Sequence, residues 1–428
     1  MNENFTIQVE NSFIFKQKAL EWASGFDVFC FLCNNSDKQN GFKTLLAVDA
    51  LRSYPNSDLT KTKLVKNNIL NNAYLFGHFG YDYKNEIENL VSENPDGVNF
   101  ADVHLFEPRY LLAFEGEFVT VILNHSDVSA ADLLAQIAQQ NTPAAYAPTT
   151  QNRISLTPRI AREDYLRTVR DLQAHIVAGD VYEVNFCQEF FAENAVINPL
   201  AVFLRLLQKT NSPFSTFYRC HDKYLMCSSP ERFLRKNGAT LTSEPIKGTA
   251  RRGSTPEADA VIRDTLYNSE KDRAENVMIV DLVRNDLART CVAGSVEVKE
   301  LFGIYSFAQV HQMISTIRGT LRPDRSALDA LHAAFPAGSM TGAPKIMAMQ
   351  LIERYERTRR GVYSGSVGYF TPDDDFDFNV VIRSFLYNAA TQYLSAQVGG
   401  AIVYDSVAEA EYDECMLKLQ GLIATLEP

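Results

Sequence analysis

The chain has 428 residues, 46% of them hydrophobic and 22% charged, with a formal net charge of -11. That length buries a large core and fits two or three domains or one large composite one. The acidic balance excludes the basic face of a nucleic-acid binder.

The opening MNENFTIQVENSFIF lacks a basic stretch followed by a long apolar one, so no signal peptide is expected. No run approaches the ~20 apolar residues of a membrane span. The expectation is a soluble cytoplasmic protein with neither nucleic acid nor membrane as partner. Seven cysteines are scattered along the chain, and Cys30 and Cys33 form a C-x-x-C in an apolar, strand-like run. Residues three apart on a strand point to opposite faces, and no second pair completes a zinc site. They are read as ordinary buried thiols.

Residues 1–125 read as short strands with turns, among them 73–81 and 110–114. Over 126–159 the texture shifts to Ser, Ala, Gln, Pro and Thr after one helical piece near 132–139, which makes this stretch the linker candidate. From 160 to 428 the pattern is mixed. Helices are expected over 163–177, 199–209, 256–288 and 344–357, and strands over 182–191, 239–246, 361–370, 378–387 and 394–404, with a hairpin at 214–234. A last helix starts near Ser406, where Glu409 three residues on fits a capping box. Short loops at 373–375 and 388–390 imply antiparallel pairing. The fold class predicted is α+β, with large antiparallel sheets.

Four constellations carry chemistry. In 270–281, Asp272 and Glu275 share one helix face, while Val277, Val280 and Leu287 are spaced to face the core. In the last helix, Glu411, Glu414 and Lys418 flank an apolar stripe of Tyr412, Cys415, Leu419 and Leu422. Two helices with paired carboxylates can hold a hard dication such as Mg²⁺, and a solvated charged face is the plainer alternative. In 335–345 two glycines precede a helix with Pro344 at its first position, a start whose free amides can receive an anion. It is no Walker loop, because Pro344 and Lys345 replace the Gly-Lys-Ser/Thr ending. Finally, Arg383 stands in an apolar strand, where burial calls for a bidentate carboxylate partner. His311 reads on its own as a satisfied core histidine. Lys247, in the turn Pro245-Ile246-Lys247-Gly248-Thr249, can be a nucleophile, a base or a salt-bridge partner.

Taken together these segments resemble the chorismate-utilising enzymes, and among them the group of aminodeoxychorismate synthase component I (the para-aminobenzoate synthase large subunit), related to anthranilate synthase component I. The resemblance runs from Glu163 to the C-terminus. It is carried by 179–185, Ser229-Pro230-Glu231-Arg232-Phe233, 245–249, 272–286, 335–345 and 401–418, and more weakly by 77–81 and 106–110. It implies a composite fold of antiparallel sheets packed face to face with helices outside, to which residues 1–125 can add strands.

The resemblance also implies roles. Glu275 and Glu414 are the expected Mg²⁺ ligands, with Asp272 and Glu411 acting through water, and the metal holds the ring carboxylate of chorismate. Arg383 and Tyr363 clamp the enolpyruvyl carboxylate, helped by backbone amides near Gly400 and Ala401. Ala401 departs from the glycine of many relatives. Gly248, Thr249, His311 and Ser339 line the pocket, and Glu231 is the general acid for the departing C4 hydroxyl. Lys247 discriminates within the family, since anthranilate synthases carry alanine there and aminodeoxychorismate synthases lysine. It is expected to attack C2 of the ring, after which ammonia adds at C4 and expels it. The amine must be neutral, and a nearby dication and partial burial are expected to lower its pKa. Isochorismate and salicylate synthases have a lysine where this chain has Glu183, and closer relatives have glutamine.

No stretch reads as a glutaminase, so the ammonia is expected from a separate glutamine amidotransferase subunit or from free ammonia. The segment 45–48 departs from the Leu-Leu-Glu-Ser type of tryptophan-regulated relatives, which argues against tryptophan binding. The alternatives are an anthranilate synthase large component, an isochorismate or salicylate synthase, and an inactive scaffold.

Overall fold

The structure, a computed structural model, describes residues 4–36, 40–55, 73–124, 128–142, 154–307 and 309–426. Part of the linker candidate, 126–127 and 143–153, lies outside the described residues.

The N-terminal part supplies β1 (Asn4–Gln8), α1 (Ser12–Ala23), β2 (Val28–Cys33), β3 (Thr44–Pro55), β4 (Leu75–Phe79), α2 (Lys84–Glu88), β5 (Val103–Glu115), β6 (Phe118–Leu123) and α3 (Ala130–Ala138). There follow β7 (Thr157–Pro158), α4 (Arg162–Ala178), β8 (Glu183–Ala192), α5 (Pro199–Lys209), β9 (Phe214–Cys220), β10 (Lys223–Ser229), β11 (Arg232–Asn237), β12 (Thr240–Glu244) and β13 (Ile246–Arg251). The remainder is α6 (Pro256–Asn268), α7 (Glu270–Ala288), β14 (Glu297–Ser306), β15 (Val310–Thr320), α8 (Ala327–Ala334), β16 (Gly342–Ala343) and α9 (Lys345–Tyr355). It closes with β17 (Ser366–Phe370), β18 (Phe376–Asn379), β19 (Ser384–Asn388), β20 (Tyr393–Ile402) and α10 (Ala408–Ile423).

Among the described residues every strand pairing is antiparallel, and the strands form two branches joined at β5. One runs β1–β6–β5–β3–β2–β9–β10–β19–β20–β8. The other leaves the first half of β5 through β4 and runs β17–β18–β11–β12–β15, with β13 and β14 on β15. Through β2–β9 and β4–β17, strands from before residue 125 lie in the same network as those after 160.

The core has layers because β2 is buried on both faces. Val28, Cys30 and Leu32 join Phe76, Phe79 and Phe378 between the two branches. Phe29, Phe31 and Cys33 join Phe203 of α5 and Leu419 of α10 in the outer layer. The two thiols of the C-x-x-C therefore face opposite ways, as strand alternation requires, and all seven cysteines are free. The α+β class, with facing antiparallel sheets and outer helices, is the architecture observed.

Several element boundaries differ from expectation. The helix expected over 256–288 is two, broken at Ser269 (ψ 112°), which ends α6 and whose hydroxyl accepts from the Asp272 amide to cap α7. Val277 is 47% exposed rather than core-facing. The stretch 361–365 is turn, with Gly361 and Ser364 at positive φ, so strand begins at Ser366. Pro344 is an extended N-cap, one residue outside α9. The capping box at Ser406 does not form. Its hydroxyl bonds Glu411 at 2.8 Å, Glu409 pairs with Arg170, and Val407 is the N-cap.

Candidate active site

The site lies where the start of β8, the turn before β11, a bulge in β13 and helices α7 and α10 converge. Along β13, Ile246 pairs with Ile314 and Thr249 with Gln312, so three steps on one strand match two on the other. Such a bulge re-aims the side chains within it, and the bulge holds Lys247 and Gly248. Gly248 sits at φ +89°, and a Cβ there would lie 3.0 Å from Asp272 Oδ1. The conformation demands glycine, and the space beside Asp272 is tight.

Lys247 is buried, and its Nζ donates to Glu183 Oε1 at 2.5 Å. Glu183 opens β8 and is wholly buried, and its other oxygen has no hydrogen-bond partner. Burial pushes the Lys247 amine down, but Glu183, then Glu275 and Glu231, outweigh it and leave its pKa raised. The expected depression is therefore not found in the protein by itself. Lys247 and Glu183 are in direct contact in the protein by itself.

Glu231 sits in the turn between β10 and β11, its amide donating to Ser229 Oγ at 3.2 Å. Its Oε1 accepts from Ser339 Oγ at 2.6 Å. Burial raises this carboxyl to about 7, against the lowering effects of Ser339 and Lys247. A cavity of about 20 Å³ borders Glu231 and Ser339, room for about one water. A buried carboxylic acid poised near neutrality is what a general acid needs.

The acidic groups of α7 and α10 share electrostatic neighbours. Glu275 and Glu414 both feel Lys247 and Lys271. Burial lifts Glu275 to about 7, with Glu183 and Asp272 adding to the rise. Burial also raises Glu411, against the hydroxyl of Ser406. For Glu414 burial pushes upward, but Lys418 at 2.7 Å outweighs it and the carboxyl lies below its ordinary range. A Cβ on Gly400 would lie 3.3 Å from Glu411 Oε2 and 4.0 Å from Glu414 Oε1, so the bare backbone of β20 lets these carboxylates come close. Among the described residues no three acidic, histidine or cysteine groups converge tightly enough to hold a metal alone. The donors still suit Mg²⁺, which takes one or two carboxylates and fills its sphere with water and anionic ligand. Burial, with Glu183 and Asp272 adding to it, lifts the Glu275 carboxyl, and a dication beside it would act the other way.

Arg383 lies not in a strand but in the break between β18 and β19, at φ +53°. No carboxylate pairs with it among the described residues, so the alternative of an internal bidentate partner is not met. Burial lowers its pKa, offset in part by Tyr363 and Glu414. Tyr363 is buried, its hydroxyl 3.6 Å from Cys187 Sγ. Arg383 and Tyr363 are thus brought together on the side of Glu414. Gly400 and Ala401 are ladder residues of β20, opposite Phe186 and Asn185 of β8. His311 is buried with both ring nitrogens occupied, by Ser306 Oγ at 2.8 Å and Asp259 Oδ1 at 3.0 Å. Thr249 lines a separate cleft of about 230 Å³ that also reaches Asp272.

The model of chorismate-binding enzymes matches residues 11–424. The chain belongs to this family. Among curated relatives, aminodeoxychorismate synthase component 1 of Escherichia coli is 37% identical over 82% of this chain and 76% of its own length. The chloroplastic aminodeoxychorismate synthase of Arabidopsis thaliana is 38% identical over 81% of this chain, which spans only 39% of that protein. Among solved structures, anthranilate synthase component I from Streptococcus pneumoniae is 27% identical with a TM-score of 0.78, covering 90% of this chain and 93% of its own. The menaquinone-specific isochorismate synthase from Escherichia coli shares the fold, with a TM-score of 0.80 at 18% identity over 100% of this chain and 94% of its own.

In this chorismate-binding enzyme the sequence reading missed the supports of the site. Lys345 Nζ donates to Asp286 Oδ2 at 2.7 Å and to the carbonyls of Ala334 and Pro336 at 2.9 and 3.0 Å. It clasps the ends of the loop that carries Ser339. Arg360 donates to the carbonyls of Met340 and Asn185 and to both oxygens of Glu356. The available signals were Asp286 beside the apolar Val283 and Leu287, and Arg360 next to a glycine turn. Neither has a spacing that names its partner.

Proposed function

We propose that this protein aminates chorismate at C4 to give 4-amino-4-deoxychorismate, in the para-aminobenzoate branch of folate synthesis. The single observation that carries this reading is Lys247, a buried primary amine between Glu183 and the poised acid Glu231. The names of relatives at 37 and 38% identity support it. Lys247 attacks C2 of the ring while Glu231 gives its proton to the departing C4 hydroxyl, which leaves as water. Ammonia then adds at C4 and the lysine amine leaves from C2. Splitting the displacement in two lowers each barrier. The unpaired guanidinium of Arg383 receives a substrate carboxylate, the bidentate partner it lacks in the chain itself.

Mg²⁺ fits between α7 and α10, held by Glu275 and Glu414 with Asp272 and Glu411 through water. When bound it supplies positive charge that binds and polarises an anionic substrate. The ammonia comes from a separate glutamine amidotransferase subunit, and component-1 naming among relatives supports such a partner.

The test is mass spectrometry of the product formed from chorismate, Mg²⁺ and high ammonium. Aminodeoxychorismate is expected. Anthranilate would move the chain to the sister activity, and isochorismate or salicylate would remove amination altogether. Lys247→Ala is expected to lose most turnover while still gaining thermal protection from chorismate, and full activity in that variant would sink the covalent route.

A further inference from the structure

The pairing of Glu183 with Lys247 is built unlike two buried arginine pairs of this protein. Arg232 and Arg360 each engage both oxygens of one carboxylate. Arg232 donates to Asp377 Oδ1 at 2.9 Å and Oδ2 at 3.1 Å. Arg360 donates to Glu356 Oε2 at 3.0 Å and Oε1 at 2.6 Å, and the Cys187 amide adds a further bond to Oε1. Glu183 has one contact, at 2.5 Å to Lys247 Nζ, and its Oε2 is buried with no partner. A static carboxylate with a buried, unbonded oxygen carries an unmet desolvation cost. A carboxyl that holds a proton for part of the cycle carries less of it.

The position is also rigid. Glu183 pairs with Ala343 across β8 and β16. Gly342 comes so close that a Cβ there would lie 2.1 Å from the Glu183 carbonyl oxygen. The backbone that carries the carboxyl is therefore fixed.

We infer that Glu183 is the resident base of the reaction, taking a proton from the Lys247 ammonium before attack and returning it when the amine is expelled. This rests on the covalent reading of Lys247. The balance is complete. The ammonium and carboxylate become amine and carboxylic acid, and the amine bonds to C2 as Glu231 protonates the leaving hydroxyl. Ammonia then bonds to C4 and becomes the ammonium of the product, the C2–N bond breaks, and the freed amine recovers its proton from Glu183. Glu231 is reprotonated by the ammonium ion that supplies the ammonia. Because Glu183 touches the reacting amine, it is a catalytic residue in this scheme.

Proton counting gives the test. With Glu183 present, the reactive pair holds as many protons as the resting pair, so no proton need leave to solvent. With glutamine there, Lys247 must lose its proton to water. The other charged groups that act on Lys247 stay in both proteins: Glu231 before β11, Glu275 on α7 and Glu414 on α10.

The ratio of kcat/KM for Glu183→Gln to that of wild type, followed as chorismate consumption from about pH 6 to 8, is expected to climb about tenfold per pH unit. A flat ratio overturns the inference. Glu183→Asp, which draws the carboxyl back by one methylene, serves if the glutamine variant fails to fold. It is expected to lose about tenfold or more in rate with a flat ratio, and a wild-type rate or a climbing ratio from it would overturn the inference. Lys247→Ala runs in parallel. If it consumes chorismate normally, the covalent reading falls and Glu183 with it. If it is inactive while the Glu183→Gln ratio is flat, the role of Glu183 alone is lost.

Discussion

Ser339 Oγ and Glu231 Oε1 meet at 2.6 Å although 108 residues separate them in the chain. The bond favours the charged carboxylate and so opposes the burial that lifts Glu231 to about 7. Ser339→Ala removes that restraint. The high-pH limb of kcat/KM is expected to move up by about one to two pH units, the worth of one hydrogen bond to a charged group. A limb that does not move would show that another group sets it.

The same carboxyl ties stability to pH. Its folded pKa lies above the ordinary 4.5 of a glutamic acid, at about 7. Its contribution to stability is therefore complete below about pH 4.5 and is lost as pH rises through about 7. Glu231→Gln stays neutral and can still accept from Ser339. Urea unfolding should show it more stable than wild type by about 3 kcal/mol above pH 8 and nearly equal at about pH 4. A pH-independent difference would contradict the raised pKa.

Arg383 has no carboxylate partner, and burial lowers its pKa. An unpaired buried cation costs stability, and a site that binds an anion accepts that cost. Arg383→Met is expected to raise the unfolding free energy by about 1 kcal/mol or more and to abolish thermal protection by chorismate. If the variant is protected as wild type is, the guanidinium is not the carboxylate receptor.

Lys345 closes the loop that carries Ser339 by bonding Asp286 and two carbonyls. Asp286 is buried, with a carboxyl raised to about 6 by that burial against the pull of Lys345. Lys345→Met leaves this carboxyl and both carbonyls without their donor, and should cost about 3–5 kcal/mol by urea unfolding at neutral pH. Adding Asp286→Asn is expected to restore part of the loss. A double variant no better than the single one would place the damage in the carbonyls alone.

Local pattern was enough for α5, found over 199–209 as expected, and for the antiparallel hairpins at 373–375 and 388–390. It misjudged places where one residue ends two elements or bonds a partner from elsewhere. Ser269 splits a continuous helical pattern because its hydroxyl caps the second half. Ser406 sits three residues before a glutamate, as a capping box requires, yet its hydroxyl is drawn to Glu411. Competition between near and distant acceptors is invisible to spacing.

The sequence by itself determined the α+β class, the family, and the chemical types available at Lys247, Glu231, Arg383 and the carboxylates of α7 and α10. Those follow from residue identity and order, which survive without coordinates. What faces Lys247 was decided only by tertiary structure. Read from sequence, burial and a dication lower its pKa. The fold instead closes a bulge in β13 onto Glu183 at 2.5 Å, and a carboxylate at contact distance outweighs burial. Distances of that kind are set by which strands pair, and the two groups stand 64 positions apart in the chain.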